Sequence, residues 1–113
     1  MIRNIVKLSR GPFCIDAGKG HGWYFIEPQS GDLKFGSAVM RASKGLSFGL
    51  SPEADGVLLR LQYADIVMDI GWTADAVDAA SWVDAVNRFL ETKREPAVVN
   101  GTPMPTMSTG SAV

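Results

Sequence analysis

The sequence is poor in the two residue types that most often bind metals or attack substrates. It has one cysteine, Cys14, and one histidine, His21, in 113 residues. A single cysteine cannot form an internal disulfide, so no disulfide framework is expected and a reducing compartment is favoured. A structural zinc site needs about four Cys or His ligands. We therefore predict no metal site and no cofactor.

The sequence also lacks a large charge excess and a long apolar run. Its 11 basic and 12 acidic residues give a net charge of −1, unlike the strong positive excess of many nucleic-acid-binding proteins. No segment approaches the roughly 18 apolar residues of a membrane span, and the N-terminus lacks the apolar core of a secretory signal. These absences predict a chain without a membrane span or signal peptide, located in the cytoplasm or within an assembled particle.

What remains is typical of one globular domain, with 46% apolar and 20% charged residues. Residues 1–72 alternate apolar and polar positions between Gly, Pro, Asp and Ser breaks, which predicts short strands. Residues 74–93 change to a three- and four-residue spacing, which predicts an amphipathic helix that starts after an N-cap at Thr73 and stops before Pro96. The apolar residues that recur at this spacing are Ala79, Trp82, Val83, Val86, Phe89 and Leu90.

We therefore predict an α+β fold over residues 1–95. About six to eight short strands would form a small antiparallel sheet, or a partly closed barrel or sandwich, packed against the C-terminal helix. Over residues 1–93, the order of several strands followed by a helix that carries Trp82 is similar to the order in pleckstrin-homology-like domains. The similarity concerns architecture and implies no catalytic or binding residue.

The apolar pattern changes parity near Ala64-Asp65. Odd-numbered apolar positions precede this pair, and even-numbered ones follow it. One flat strand cannot do this, since a one-residue slip moves every side chain to the other face. We favour a tight hairpin at this point, with a bulge as the alternative. The even-numbered residues expected to share one face are Ile66, Met68, Ile70 and Trp72.

The segment from Gly18 to Ile26 contains the candidate binding residues of the domain. Three glycines around Lys19 and His21 could present backbone N–H groups and a cation to an anion, although the pattern is not that of a P-loop. Trp23 or Tyr24 would then stack on bases. In the run from Trp23 to Ile26 one alternate pair must point away from its own core, either covered within the monomer or exposed to a partner.

No catalytic constellation is evident. Cys14 and His21 are seven residues apart across the glycine loop, without the flanking signature of a cysteine protease. Residues 96–113 are rich in Pro, Gly, Ser and Thr, which predicts an extended flexible tail. In this tail Pro103, Met104 and Met107 are the candidate contacts for a partner.

The leading hypothesis is a non-enzymatic protein–protein interaction module that uses a sheet surface and the tail. It would be a small subunit of a larger assembly, such as a virion or secretion component, with a protein partner or a homo-oligomer as its context. One alternative is a small inhibitor or adaptor protein. The other is a nucleic-acid or anion-binding module built on the glycine loop at residues 18–22 and its basic and aromatic neighbours.

Overall fold

A computed structural model describes residues 4–18 and 20–94, together with the backbone of residues 98–99 and 102–103. In this part of the chain two antiparallel sheets pack against one C-terminal helix, which confirms the predicted α+β fold. The elements are, in chain order, β1 (Lys7–Arg10), β2 (Phe13–Asp16), β3 (Trp23–Ile26), β4 (Leu33–Phe35), β5 (Ala38–Met40), a short 3-10 helix (Ala42–Lys44), β6 (Ser47–Glu53), β7 (Gly56–Tyr63), β8 (Ile66–Thr73), α1 (Ala76–Glu91), β9 (Val98–Val99) and β10 (Thr102–Pro103).

The segment before β1 links the two sheets. The order is β1-β2-β3-β4-β5 in the larger sheet and β6-β7-β8 in the smaller. The N–H of Val6 donates to the carbonyl of Trp72 at 3.0 Å, and the N–H of Trp72 donates to the carbonyl of Asn4 at 2.7 Å. A side chain at Gly71 would collide with the Asn4 carbonyl, so glycine permits this close approach. The link is an isolated bridge between two separate sheets, and among the described residues no strand pair joins β5 to β6.

The core lies between the sheets and α1, and Trp82 is its largest fully buried side chain. The indole packs edge-on against Phe13 and Phe48, with ring centroids 6.0 and 5.3 Å apart. Its Nε1–H donates to the carbonyl of Ser9 at 2.8 Å, as a buried indole N–H requires. The other fully buried large side chains are Ile15, Ile26, Leu33, Leu46, Leu59, Leu61, Val86 and Leu90.

The helix starts two residues later than predicted. Asp75, not Thr73, is the N-cap, and its carboxylate accepts from the N–H of Asp78 at 2.9 Å. Thr73 is instead the last residue of β8, where its hydroxyl accepts from the N–H of Asp75. A carboxylate at this position satisfies a free N–H and complements the positive end of the helix dipole. Thr73 and Asp75 both carry side chains that can cap a helix, and Asp75, which lies nearer to α1, is the N-cap.

The β7–β8 hairpin contains both a tight turn and a β-bulge, the two features that could account for the parity change. Ala64 and the following residue form the tight turn, with Ala64 at a positive φ of 55°. The ladder also skips Ile70, which forms a bulge. The prediction that Trp72 shares a face with Ile66, Met68 and Ile70 is therefore wrong. Beyond the bulge Trp72 lies opposite Leu58 on the outward face, while Ile70 stays in the core.

Asn87 of α1 closes part of the β6 edge. Its Oδ1 accepts from the N–H of Phe48 at 2.9 Å, and its Nδ2 donates to the carbonyl of Phe48 at 2.8 Å. These are the bonds that a neighbouring strand would make. Four residues further on, at the same parity, Pro52 has no N–H to offer. Side-chain pairing and proline thus protect an edge strand that would otherwise present free backbone groups.

We expect Asn87→Asp to lower the free energy of unfolding by about 1–3 kcal/mol, because it leaves the Phe48 carbonyl without its donor and places a charge beside it. Urea denaturation measures the change. Arg88→Ala is the matched control, since the Arg88 side chain is 79% exposed and such changes stay within about 0.5 kcal/mol. Equal losses in the two variants would contradict the role given to Asn87.

Candidate functional site

The strand register places eight side chains on the surface of the larger sheet that faces away from the core. We name this surface the outer face. Its first row crosses β1, β2 and β3, and its second row crosses all five strands. The first row contains Lys7, Asp16 and Trp23, and the second contains Ser9, Cys14, Phe25, Lys34 and Val39.

Trp23 and Phe25, which lie along β3, form an apolar strip on the outer face. Trp23 is 60% exposed and Val39 is 50% exposed. Phe25 is partly buried, and Lys34 of β4 separates it from Val39 in the second row. The alternate residues of β3, Tyr24 and Ile26, are buried in the core. One pair of the aromatic run therefore faces outward, and its tryptophan presents most of its surface to solvent, which is unusual for so large an apolar side chain.

Charges of both signs surround this strip. Lys7 lies exposed in the first row, next to Asp16. One carboxylate oxygen of Asp16 accepts from the N–H of Gly18 at 3.0 Å, which holds the start of the glycine loop. In the second row the Nζ of Lys34 lies 3.4 Å from a carboxylate oxygen of Glu27. The rim therefore balances positive and negative groups around an apolar centre.

The glycine loop forms a groove of about 530 Å³ beside Trp23. Gly18, Gly20 and Gly22 all have positive φ, between 83° and 92°, which only glycine adopts without strain. The N–H of His21 donates within the loop to the carbonyl of Gly18, and the His21 side chain is exposed. The groove is lined by Ile5, Lys7, Asp16, Gly18, Gly20, Gly22 and Trp23.

The structure separates the two aromatic residues that the sequence placed together as base-stacking candidates. Tyr24 is buried, and its ring stacks on that of Phe35 with centroids 4.2 Å apart and planes at 12°. Burial also raises the pKa of the Tyr24 hydroxyl. The prediction that Tyr24 could stack on a base is therefore wrong, because the strand parity that exposes Trp23 directs Tyr24 into the core.

The structure describes no side chain for four of the predicted contact residues. Lys19, Met104 and Met107 lie outside the described residues. Pro103 is described only as backbone, in β10, where it pairs with Val98 of β9. These two short strands are the described part of the predicted tail, and its other residues lie outside the described part of the chain.

Cys14 and His21 are not brought together. Cys14 pairs with Phe25, whereas His21 lies four ladder positions further along, in the loop. That separation is on the order of 13 Å along the strands. Burial raises the pKa of the Cys14 thiol, and the nearby carboxylate of Asp16 raises it further. Both effects keep the thiol protonated, so the arrangement does not activate Cys14 as a nucleophile.

Val39 is the member of this row that sequence reasoning missed. Lys34 was a candidate as a basic neighbour of the glycine loop, and Phe25 was a candidate as part of the aromatic run, but the pairing register that aligns them with Val39 was not readable from the sequence. The parity of the aromatic run was the available signal: once Tyr24 is assigned to the core, Phe25 must face outward with Trp23.

The chain matches no family model, no curated protein and no solved structure. Among the described residues, no group of three or more His, Cys, Asp or Glu side chains is placed to hold a metal ion. In the same part of the chain, no helix has the length and apolarity to cross a membrane.

We expect Asp16→Asn to lower the pKa of Cys14, because it removes a negative charge that disfavours the thiolate. The amide keeps an oxygen that can accept from the N–H of Gly18. Since the thiolate is the reactive form, alkylation of Cys14 by iodoacetamide at pH 8 should become faster. Asp65→Asn, in the distant β7–β8 turn, is the control and should leave the rate unchanged. A slower or unchanged rate in Asp16→Asn would count against the electrostatic account.

Proposed function

We propose that this protein is a non-enzymatic protein–protein interaction module that binds through the outer face. The observation that carries the proposal is the exposure of Trp23, at 60%, beside Phe25 in the apolar strip along β3. Exposed aromatic side chains in an apolar patch with a polar rim are typical of the centre of a protein interface.

The form of the surface supports a macromolecular partner. The strip lies on the face of a sheet, and the charged side chains around it come from the neighbouring strands β1, β2 and β4. A small molecule is usually held in a concave pocket that buries most of its surface. A flat strip suits a second flat surface, and the balanced rim of Lys7, Asp16, Lys34 and Glu27 gives such a partner charged groups of both signs to pair with.

Under this proposal the chain is a small subunit of a larger assembly, such as a virion or secretion component. A second copy of the chain or a different protein would cover the outer face. A small inhibitor or adaptor would use the same surface in the same way. The proposed location is the cytoplasm or the interior of an assembled particle, in keeping with the single, protonated Cys14.

We expect Trp23→Glu to abolish stoichiometric capture of the partner from the native source by the immobilised full-length protein. The change places a charge in the apolar strip, at the exposed position of Trp23, without disturbing the core. Val77→Glu is the matched control, because Val77 is an exposed apolar residue, at 83%, on the far helix. This control should capture the partner as the unaltered protein does, and circular dichroism should show both variants folded.

A second readout uses Cys14, which belongs to the outer face. Alkylation of this thiol in the isolated complex should be several times slower than in the free protein, since a partner seated on the face shields it. Sedimentation of the purified protein distinguishes a second copy from a different partner. Equal capture by the two glutamate variants, together with unchanged alkylation, would overturn the proposal.

The groove beside the outer face favours a second candidate, a nucleic-acid or anion-binding module. Lys7 and Trp23 line it together, which places a cation and an exposed indole next to the glycine loop. We expect a labelled single-stranded oligonucleotide to bind at low salt with a steep salt dependence, and Lys7→Ala to weaken that binding. Lys7→Ala should weaken protein capture through the outer face less than Trp23→Glu does. Absence of oligonucleotide binding at low salt would remove this candidate.

A further inference from the structure

The charged side chains next to β3 have opposite signs on its two sides. Asp16 of β2 lies on one side of this strand, and Lys34 of β4 lies on the other. Trp23 and Phe25 lie on the strand between them. The register pairs Asp16 with Trp23 and Lys34 with Phe25, so the two charges also lie in successive rows. The apolar strip therefore has an anion on one side and a cation on the other.

This arrangement is complementary to itself. A second copy of the chain, related by a two-fold rotation about an axis along β3, presents the same face with its two sides exchanged. Strand β4 of the copy then lies over β2, and Lys34 of each copy faces the side that carries Asp16 of the other. The rows lie about 7 Å apart along the strands, a separation that the flexible lysine side chain spans. A two-fold interface requires self-complementarity of this kind.

A two-fold axis that runs across the strands is less favourable. Such a rotation keeps every strand over its own counterpart, so β2 lies over β2 and β4 over β4. Both Asp16 carboxylates then lie on one side of the interface, and both Lys34 ammonium groups lie on the other. Like charges that are brought together disfavour a complex, whereas opposite charges fix its orientation. Charge complementarity therefore selects the axis along β3.

Two further charged residues are compatible with this axis. Glu27 directly follows β3 at the parity of the outer face, and its carboxylate lies 3.4 Å from the Nζ of Lys34. This ion pair balances the charge of Glu27 near the axis, where it approaches its counterpart. Each Lys34 then lies between Glu27 of its own chain and Asp16 of the other. Lys7 of β1 lies over the uncharged turn Gly36-Ser37 of the copy.

The size of the face determines how strong the association can be. Its five strands measure about 24 Å across, and the four residues of β3 measure about 13 Å along the strand. The projected area of about 300 Å² is small beside the roughly 800 Å² that each partner buries in a standard stable complex. We therefore expect a reversible dimer whose population rises with protein concentration.

We propose that the partner of the outer face is a second copy of this chain, related by a two-fold axis along β3. This identification rests on the proposed function, since it uses the same face, and it adds the partner and its orientation. The two Trp23 indoles pack against each other at the axis. The contacts between Asp16 and Lys34, made once on each side, set the alignment of the two sheets.

Charge reversal tests the orientation. Asp16→Lys and Lys34→Glu each place like charges together at both contacts of a homodimer, so we expect either variant alone to dimerise about ten-fold more weakly or worse. An equimolar mixture of the two variants pairs opposite charges at both contacts and should regain the dimer. Sedimentation equilibrium of the full-length chains measures the association. Arg88→Glu, at a side chain that is 79% exposed on α1, is the matched control and should dimerise as the unaltered protein does.

The recovery in the mixture also excludes misfolding as the cause of a loss, because misfolded chains would not regain the dimer on mixing. A mixture that associates no better than its two components would overturn the orientation. An unaltered protein that stays monomeric up to the concentration of an NMR sample would overturn the second copy as partner.

Trp23→Glu separates failure of this identification from failure of the proposed function. We expect it to abolish dimerisation. If the unaltered protein is monomeric and captures a different protein that Trp23→Glu does not capture, the proposed function stands and the second copy is excluded. Dimerisation that persists in Trp23→Glu would show association through another surface and would overturn the identification.

Discussion

The burial of the Trp82 indole is the interaction on which the rest of the fold depends. One ring on one helix contacts Phe13 of the larger sheet and Phe48 of the smaller, and its N–H binds the backbone of β1 at Ser9. Both sheets and the helix therefore meet at a single side chain. Truncation of so large a buried residue costs about 3–5 kcal/mol, a large part of the stability of a domain of this size. The inner faces of the two sheets are therefore buried in the core, and only the outward surfaces of the domain are accessible to another molecule.

The same packing, through strand register, also determines which side chains form the outer face, the proposed binding surface. Because Tyr24 and Ile26 pack inward, Trp23 and Phe25 must face solvent on the same strand. Pairing with the neighbouring strands then aligns these two residues with Lys7 and Val39. The outer face is in this sense a consequence of core formation, and its apolar side chains would leave water only in the proposed complex.

The sequence predicted the elements better than their relations. The helix was readable because Trp82 and its apolar neighbours recur at helical spacing, and the strands because they alternate. The helix start was displaced because Thr73 and Asp75 are both good caps, and only the backbone path decides between them. A bulge was offered near Ala64-Asp65 only as an alternative to the turn, whereas the turn occurs there and the bulge occurs at Ile70. The outer face was half predicted: Trp23 was found as a candidate contact, but its alignment with Lys34 and Val39 needed a pairing register that no local pattern encodes.

The amide of Asn87 also limits the ways in which this domain can assemble. A β-sheet grows into a fibre or a continuous intermolecular sheet by adding strands at its edge. On β6 the backbone groups of Phe48 are already engaged by Asn87, and Pro52 lacks a donor at the same parity. Lateral growth of the small sheet in that direction is blocked at both places. The backbone of Phe48 is therefore committed to its own chain, and another strand cannot extend the small sheet with a full set of hydrogen bonds along β6.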